Sequence, residues 1–120
     1  MIEIEDKTIR MSRGDSVSIN LTIPITDSEN YKFKNGDKIQ LRIFEKKNYE
    51  KELLKKEVII TKETEEVVIN IQEEDTKFCP NINKPNTYWY EISLNEVETV
   101  VGYDNDGPAE FILYPAKAGV

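Results

Sequence analysis

Apolar and polar residues alternate with a period of two along most of this chain, and that pattern limits what it can fold into. The longest example is the segment 84–94, in which four large apolar side chains share one face: Tyr88, Tyr90, Ile92 and Leu94. Side chains of a β-strand point alternately to the two sides of a sheet, whereas those of a helix repeat about every 3.6 residues. The segment therefore predicts a central strand with one face in the core, behind a turn at Pro85 and Asn86.

Other segments keep the same alternation and predict further strands. These are 17–23, 39–43 and 67–71. The segments 8–11, 97–103 and 110–114 are also predicted to be extended, because turn signals bound them. Turn-forming residues separate them at 12–15, 35–37, 61–66, 95–96 and 104–108. Pro24 removes an amide donor, so the strand over 17–23 is expected to end there. Tyr31 and Phe33 are expected to anchor the long loop 25–38 to the core.

The spacing of these signals predicts an all-β fold. Strands at intervals of about 8 to 12 residues with no dependable helix indicate one immunoglobulin-like antiparallel β-sandwich of about seven to eight strands with Greek-key connections. Only the segment 73–78 has the character of a single helical turn, with acidic residues at its start. One domain is expected over 1–120, with a frayed tail at 115–120.

The segment 45–56 is ambiguous. Tyr49, Leu53 and Leu54 fit a helical stripe among good helix formers, but the β-branched run that follows at 58–60 needs a partner strand. We favour an extended segment or hairpin and keep a short helix as the alternative.

Composition excludes several classes of function. The chain has 16 basic and 23 acidic residues and a net charge of −7, which disfavours binding to nucleic acid. No apolar run reaches the roughly 20 residues of a membrane helix, and the acidic segment 1–6 is unlike a signal peptide. We therefore expect the product to stay in the cytoplasm unless another route exports it. The single cysteine, Cys79, is expected to be a packed thiol.

No residue pattern indicates catalysis, and we expect neither a catalytic residue, a cofactor nor a metal. The chain lacks histidine, the commonest general base, and has no glycine-rich phosphate loop. The segment 104–107 resembles the start of a calcium loop, but Pro108 stands where a ligand is expected, so a plain turn is favoured. Arg13-Gly14-Asp15 is the tripeptide read by adhesion receptors, yet ordinary turn formation explains it better.

Three aromatic residues are candidates for an interface. Trp89 lies on the face of its strand opposite the expected core, and tryptophan and tyrosine are enriched at the centres of interfaces. The alternative is that a loop or the second sheet covers Trp89. Phe44 interrupts the polar side of its strand, and Tyr103 is the last residue of a predicted strand, so both are possible companions.

The order of these motifs resembles a family of phage proteins. The segment 8–16, with its R-G-D turn, precedes an alternating strand, and Asn35-Gly36-Asp37 precedes the next. The segment 85–94 and the closing strand at 107–111 complete a pattern similar to the N-terminal β-sandwich domain of phage upper baseplate proteins and of small tail-associated proteins. The chain departs from that pattern at Asn86, where glycine is usual, and at Pro108.

The resemblance implies a non-enzymatic virion structural or accessory protein, such as a tail or baseplate adaptor. Its partners would be other virion proteins, with several copies in one assembly and no contact with nucleic acid or membrane. A capsid decoration protein is one alternative. A carbohydrate- or receptor-binding module, in which Trp89, Tyr88 and Tyr103 stack on sugars, is another.

Overall fold

Eleven β-strands and one short 3₁₀ helix make up the regular structure of the described residues. The computed structural model describes residues 2–5, 7–46, 48–80 and 82–116. The strands are β1 (Ile2–Glu5), β2 (Thr8–Ser12), β3 (Val17–Leu21), β4 (Pro24–Thr26), β5 (Glu29–Asn30), β6 (Lys38–Glu45), β7 (Asn48–Ile59), β8 (Val67–Ile71), β9 (Asn86–Leu94), β10 (Glu98–Val101) and β11 (Glu110–Tyr114). The 3₁₀ helix spans Glu73–Phe78.

Seven strands form one large sheet, with the order β1-β2-β11-β9-β6-β7 and β10 paired with β9. All of its pairings are antiparallel except β2 with β11, which run parallel. β9 lies at the centre, because one of its edges pairs with β6 and the other is shared by β11 and β10. β7 is an edge strand, with pairing to β6 alone among the described strands.

A two-stranded sheet of β3 and β8 covers the large sheet. In both strands the odd-numbered apolar residues are buried and the even-numbered residues are exposed, in a strict alternation. Val17, Ile19 and Leu21 lie opposite Ile71, Ile69 and Val67. These six side chains belong to the same buried cluster as those of the large sheet, so the two layers share one core.

The predicted central strand is confirmed. Tyr88, Tyr90, Ile92 and Leu94 of β9 are all buried in the core cluster. Tyr90 also donates a hydrogen bond from its hydroxyl to the backbone carbonyl of Lys7, across 83 positions of sequence. The Tyr88 hydroxyl instead accepts a hydrogen bond from the side-chain amide of Asn86 at 3.1 Å.

The all-β sandwich is confirmed, and several details differ from expectation. The described residues form eleven strands rather than seven or eight, and the β2–β11 pair is parallel rather than antiparallel. The ambiguous segment is extended, since β7 pairs with β6 along most of its length. Pro24 begins a short strand instead of ending one. The first residue of a strand is a position where the lack of a backbone N–H is tolerated.

Loops close the remaining sides of the core. Phe33 is fully buried and its ring meets that of Tyr31 edge to face at 5.2 Å, so both predicted anchors of the 25–38 loop are confirmed. Cys79 is buried, as expected for a packed thiol. Of the predicted tail, residues 115 and 116 lie outside any strand, and residues 117–120 lie outside the described residues.

Candidate functional site

A cluster of aromatic side chains lies on the outer face of the large sheet, away from the core. It consists of Phe44 on β6, Tyr49 on β7, Trp89 on β9 and Tyr103 after β10, and is called the aromatic patch below. Ring centroids are 5.1 Å apart for Phe44 and Tyr49, 5.3 Å for Tyr49 and Trp89, and 5.9 Å for Trp89 and Tyr103. These are the separations at which tilted and edge-to-face aromatic pairs attract.

Strand register explains why the patch forms. Phe44 and Trp89 are directly opposite each other in the β6–β9 pairing. Both follow the outward phase of their strands, because their neighbours Ile43 and Tyr90 are buried in the core. Tyr49 reaches the same face from the start of β7, beyond a register shift near Phe44.

An ion pair extends the patch along the same two strands. Arg42 Nη2 lies 2.9 Å from Glu91 Oε1, and the Arg42 guanidinium carbon sits 5.2 Å from the centre of the Phe44 ring. Arg42 and Glu91 are opposite each other in the β6–β9 register, two residues along each strand from Phe44 and Trp89 and therefore on the same face. The guanidinium therefore packs on the ring and fixes one flank of the patch.

The structure brings together all three residues that the sequence nominated, with different exposures. Tyr103 is 64% exposed, Trp89 is partly exposed and Phe44 is only 2% exposed. Tyr103 and Trp89 can touch a partner directly, whereas Phe44 supports the patch from beneath. Sequence analysis did not nominate Tyr49, because the segment that carries it had no settled secondary structure.

Lys7 holds the loop that presents Tyr103. Its ammonium nitrogen lies 3.1 Å from the Gly102 carbonyl, 2.6 Å from Asp104 Oδ1 and 2.7 Å from the Gly107 carbonyl. An ammonium group has three donors, so these three acceptors use all of them. The residues on both sides of Tyr103 are thus fixed by one side chain from the other end of the chain.

Gly102 allows this loop to approach the sheet. A Cβ atom at that position would lie 2.8 Å from Cγ2 of Thr99 and 3.2 Å from Cγ of Glu91. Those distances are too short for a side chain, so glycine permits the backbone to cross β9 and β10 closely. Beyond it, Asp104 and Gly107 exchange two backbone hydrogen bonds of 3.0 Å.

The calcium-like segment 104–107 forms a turn around Lys7. The Lys7 ammonium donates hydrogen bonds to Asp104 Oδ1 and to the Gly107 carbonyl. These are two of the oxygens that a calcium ion would need as ligands. Its hydrogen bond to Asp104 is the main cause that lowers the pKa of that carboxyl. Among the described residues no group of three or more acidic, cysteine or histidine side chains could hold a metal ion.

Several polar atoms of the outer face are buried without a partner. Within the described residues the indole Nε1 of Trp89 and the hydroxyl of Tyr49 are in this state. Desolvation, followed by the charge of Glu91, raises the pKa of Tyr49, so the hydroxyl stays neutral. A buried donor without a partner costs about 1 to 3 kcal/mol, so this face is not arranged for stability alone.

The R-G-D tripeptide is part of a turn in this structure. Arg13 Nε donates to the carbonyl of Cys79 at 2.6 Å, and the Gly14 amide donates to Thr76 Oγ1 at 2.8 Å. Gly14 has a φ of 88°, a left-handed conformation that favours glycine. These contacts tie the turn to the 3₁₀ helix, in agreement with the structural explanation of the motif.

The chain matches no protein-family model, no curated protein and no solved structure. Among the described residues, no helix has the length and apolar character needed to cross a membrane. The aromatic patch is therefore the feature on which a functional argument depends.

Proposed function

We propose that this protein is a non-enzymatic docking module that binds another protein through the aromatic patch. The observation that carries the proposal is the exposed Tyr103 ring, fixed against Trp89 and supported by Tyr49. A pre-positioned aromatic side chain provides contact area with little loss of conformational entropy on binding. Among the described residues, the indole Nε1 of Trp89 and the hydroxyl of Tyr49 are buried without a partner, which lowers the stability of this face. That cost is consistent with a surface selected for binding.

The resemblance to small phage tail-associated proteins gives the module a context. We propose a virion accessory protein of the tail or baseplate, present in more than one copy and assembled in the host cytoplasm. A β-sandwich suits such an adaptor, because its sheets form a rigid support for surface residues. Capsid decoration is the alternative within the same class, and copy number per particle distinguishes the many copies of a capsid protein from the few of a tail protein.

A sugar-binding role is less well supported by the geometry. Trp89 has Tyr49 on one side at 5.3 Å and Tyr103 on another at 5.9 Å, so its ring is largely occupied by other rings. Tyr88, the other aromatic residue considered for stacking, is buried on the core side of β9. Only Tyr103 of the three offers a well exposed ring to a ligand.

Site-specific photo-crosslinking tests the docking proposal. A photoreactive phenylalanine analogue replaces Tyr103 in one variant and Val68 in the control, since Val68 is 41% exposed on the opposite sheet. Particles are purified from the producing culture, irradiated and analysed by mass spectrometry. We expect a crosslink to one virion protein from position 103 and none to that protein from position 68.

Two results would contradict the proposal at different levels. Absence of the protein from purified particles would exclude the virion role while leaving the docking surface open to another partner. Equal crosslinking from positions 103 and 68 would show that the aromatic patch has no special part in binding. Glycan-array binding that is lost in Tyr103→Ala would instead favour the carbohydrate alternative.

A further inference from the structure

Two carboxylates flank the aromatic patch in a single row across the large sheet. Trp89 lies directly opposite Phe44 on β6, and on its other side directly opposite Glu110 of β11. Phe44 in turn lies opposite Glu52 of β7. The row across four neighbouring strands is therefore acidic, aromatic, aromatic, acidic.

Neither carboxylate of this row is neutralised within the described part of the chain. Between the residues that the structure describes, no hydrogen bond or ion pair involves the side chains of Glu52 or Glu110, whereas the nearby Glu91 is paired with Arg42 at 2.9 Å. Lys7, next to Glu110 in the same polar hollow, has its three donors committed to the loop that carries Tyr103. The ends of the row consequently keep their negative charge available.

Other charges on this face do not cancel the pattern. Lys55 lies opposite Arg42, two register pairs away from the row, and Arg10 of β2 lies opposite Ile112 of β11. Arg10 Nη1 is buried and has no partner among the described residues. Neither residue lies in the row between Glu52 and Glu110, so a partner that crosses the strands there meets two carboxylates around an aromatic centre.

We propose that the partner brings an extended segment with an apolar residue between two basic residues at the spacing basic-x-apolar-x-basic. Three strand separations of about 4.8 Å place the ends of the row about 14 Å apart. Four residues of an extended peptide span about 13 Å, and its residues i, i+2 and i+4 point to one side. This spacing sets both basic groups over the carboxylates and the apolar residue over the aromatic side chains between them.

Arginine fits this surface better than lysine. Its guanidinium can bind a carboxylate with two hydrogen bonds and can also stack on an aromatic ring, as Arg42 does on Phe44 within the chain. The inference rests on the proposed docking function, because it specifies the chemistry of the partner for that same surface. It adds a charge requirement that the docking proposal alone does not contain.

Nuclear magnetic resonance titration of the ¹⁵N-labelled full chain tests the inference. The probes are two blocked pentapeptides, Arg-Thr-Leu-Thr-Arg and Glu-Thr-Leu-Thr-Glu, which differ only in the charge of their ends. We expect the basic peptide to shift the Trp89 indole signal and amides of β9 and β11, with weak affinity, and the acidic peptide to leave them in place. Two double variants with the same change in net charge are compared: Glu52→Gln with Glu110→Gln, and Glu63→Gln with Glu65→Gln.

The row variant is expected to bind the basic peptide about tenfold more weakly, the combined effect of two exposed ion pairs. The control variant changes two exposed acidic residues of the turn before β8 and should bind as the parent does. Equal binding of the two peptides, equal effects of the two variants, or no binding of either peptide would overturn the inference. If position 103 still crosslinks to a virion protein in that event, the docking function stands and only the charge pattern is wrong.

Discussion

Lys7 connects three parts of the chain that are far apart in sequence. Its ammonium holds the loop around Tyr103, while its backbone carbonyl accepts the hydroxyl of Tyr90 in the central strand. A single residue thus joins the start of β2 to β9 and to the β10–β11 loop. Such contacts cannot be read from periodicity, because the pattern of one segment contains no information about a partner 83 or more positions away.

Substituting Lys7 tests whether it positions Tyr103. In Lys7→Met the stem of the side chain is kept, but the two carbonyls and Asp104 lose their shared donor. We expect a loss of about 1 kcal/mol in the free energy of unfolding, together with faster hydrogen exchange over 102–107. Exchange measured by mass spectrometry or nuclear magnetic resonance detects the local change.

Lys38→Met is the matched control for this substitution. Lys38 makes ion pairs of 3.5 Å with Glu96 and 3.7 Å with Glu57, away from the Tyr103 loop. Its replacement should leave exchange over 102–107 unchanged. Similar exchange in the two variants would mean that the loop keeps its conformation without the Lys7 ammonium.

The buried hydroxyl of Tyr90 makes stability depend on pH in the alkaline range. Burial raises the pKa of Tyr90 from 10.0 to about 12, which means that the folded state keeps the proton where the unfolded chain would release it. The resulting stability is fully present below pH 10 and is lost as the pH rises from 10 through about 12. A shift of this size corresponds to a loss of about 3 kcal/mol.

Tyr90→Phe removes both the titration and the hydrogen bond. At neutral pH we expect the variant to be less stable by about 1 to 3 kcal/mol, since the Lys7 carbonyl loses its donor. Between pH 10 and 12 its stability should fall less steeply than that of the parent. Urea unfolding across this range measures both effects, and parallel loss in parent and variant would assign the alkaline transition to other groups.

At the level of single elements, the edge strand β7 is protected from pairing with other molecules. Lys56 lies opposite the buried Leu41 and is therefore on the core side of the sheet, where its Nζ meets Asp75 Oδ2 at 2.8 Å. The register shifts near Phe44 also bend the strand. Inward-pointing charges and bulges are common ways in which an edge strand avoids joining another sheet.

Lys56→Val is expected to weaken this protection. Removing the inward charge leaves a long edge with an apolar inner face, so we expect concentration-dependent self-association. Light scattering coupled to size-exclusion chromatography measures the mass. Lys55→Val makes the same chemical change on the outer face and should remain at the mass of the parent; association in both variants to the same degree would attribute the effect to lost surface charge.

How much of each element the sequence predicted depends on the regularity of its alternation. β3, β8 and β9 keep a strict period of two and were located within one or two residues. β4 and β5 were missed because strands of three and two residues are too short to show a period. In β7, adjacent Leu53 and Leu54 break the alternation next to a register shift, which explains why a helix competed with a strand.

At the level of the whole molecule, the order of strands could not be predicted. The sequence located β2, β9 and β11, but it gave no sign that β11 lies between the other two and runs parallel to β2. Pairing is decided by contacts between distant segments, which local patterns do not encode. The same limit applies to the aromatic patch, whose members were nominated one by one and whose association depends on the β6–β9 register.

The central position of β11 predicts a large effect of Phe111→Ala. Phe111 is fully buried and lies opposite Ile9 on one side and Tyr88 on the other. Removing the ring leaves a cavity between strands from both ends of the chain, at an expected cost of about 3 to 5 kcal/mol. Urea unfolding measures it, with Ile112→Ala as the control on the outer face; an equal, small effect of both would show that β11 contributes little to the core.

The place of β11 also gives the fold a removable part. Without residues 110–114, β2 and β9 would face each other across a gap one strand wide, each with an unsatisfied backbone edge. Only a strand parallel to one and antiparallel to the other fills that gap, and its inward residues must match the sites of Phe111 and Leu113. The protein is therefore a natural candidate for a split reporter, in which a short peptide supplied in trans restores the sandwich.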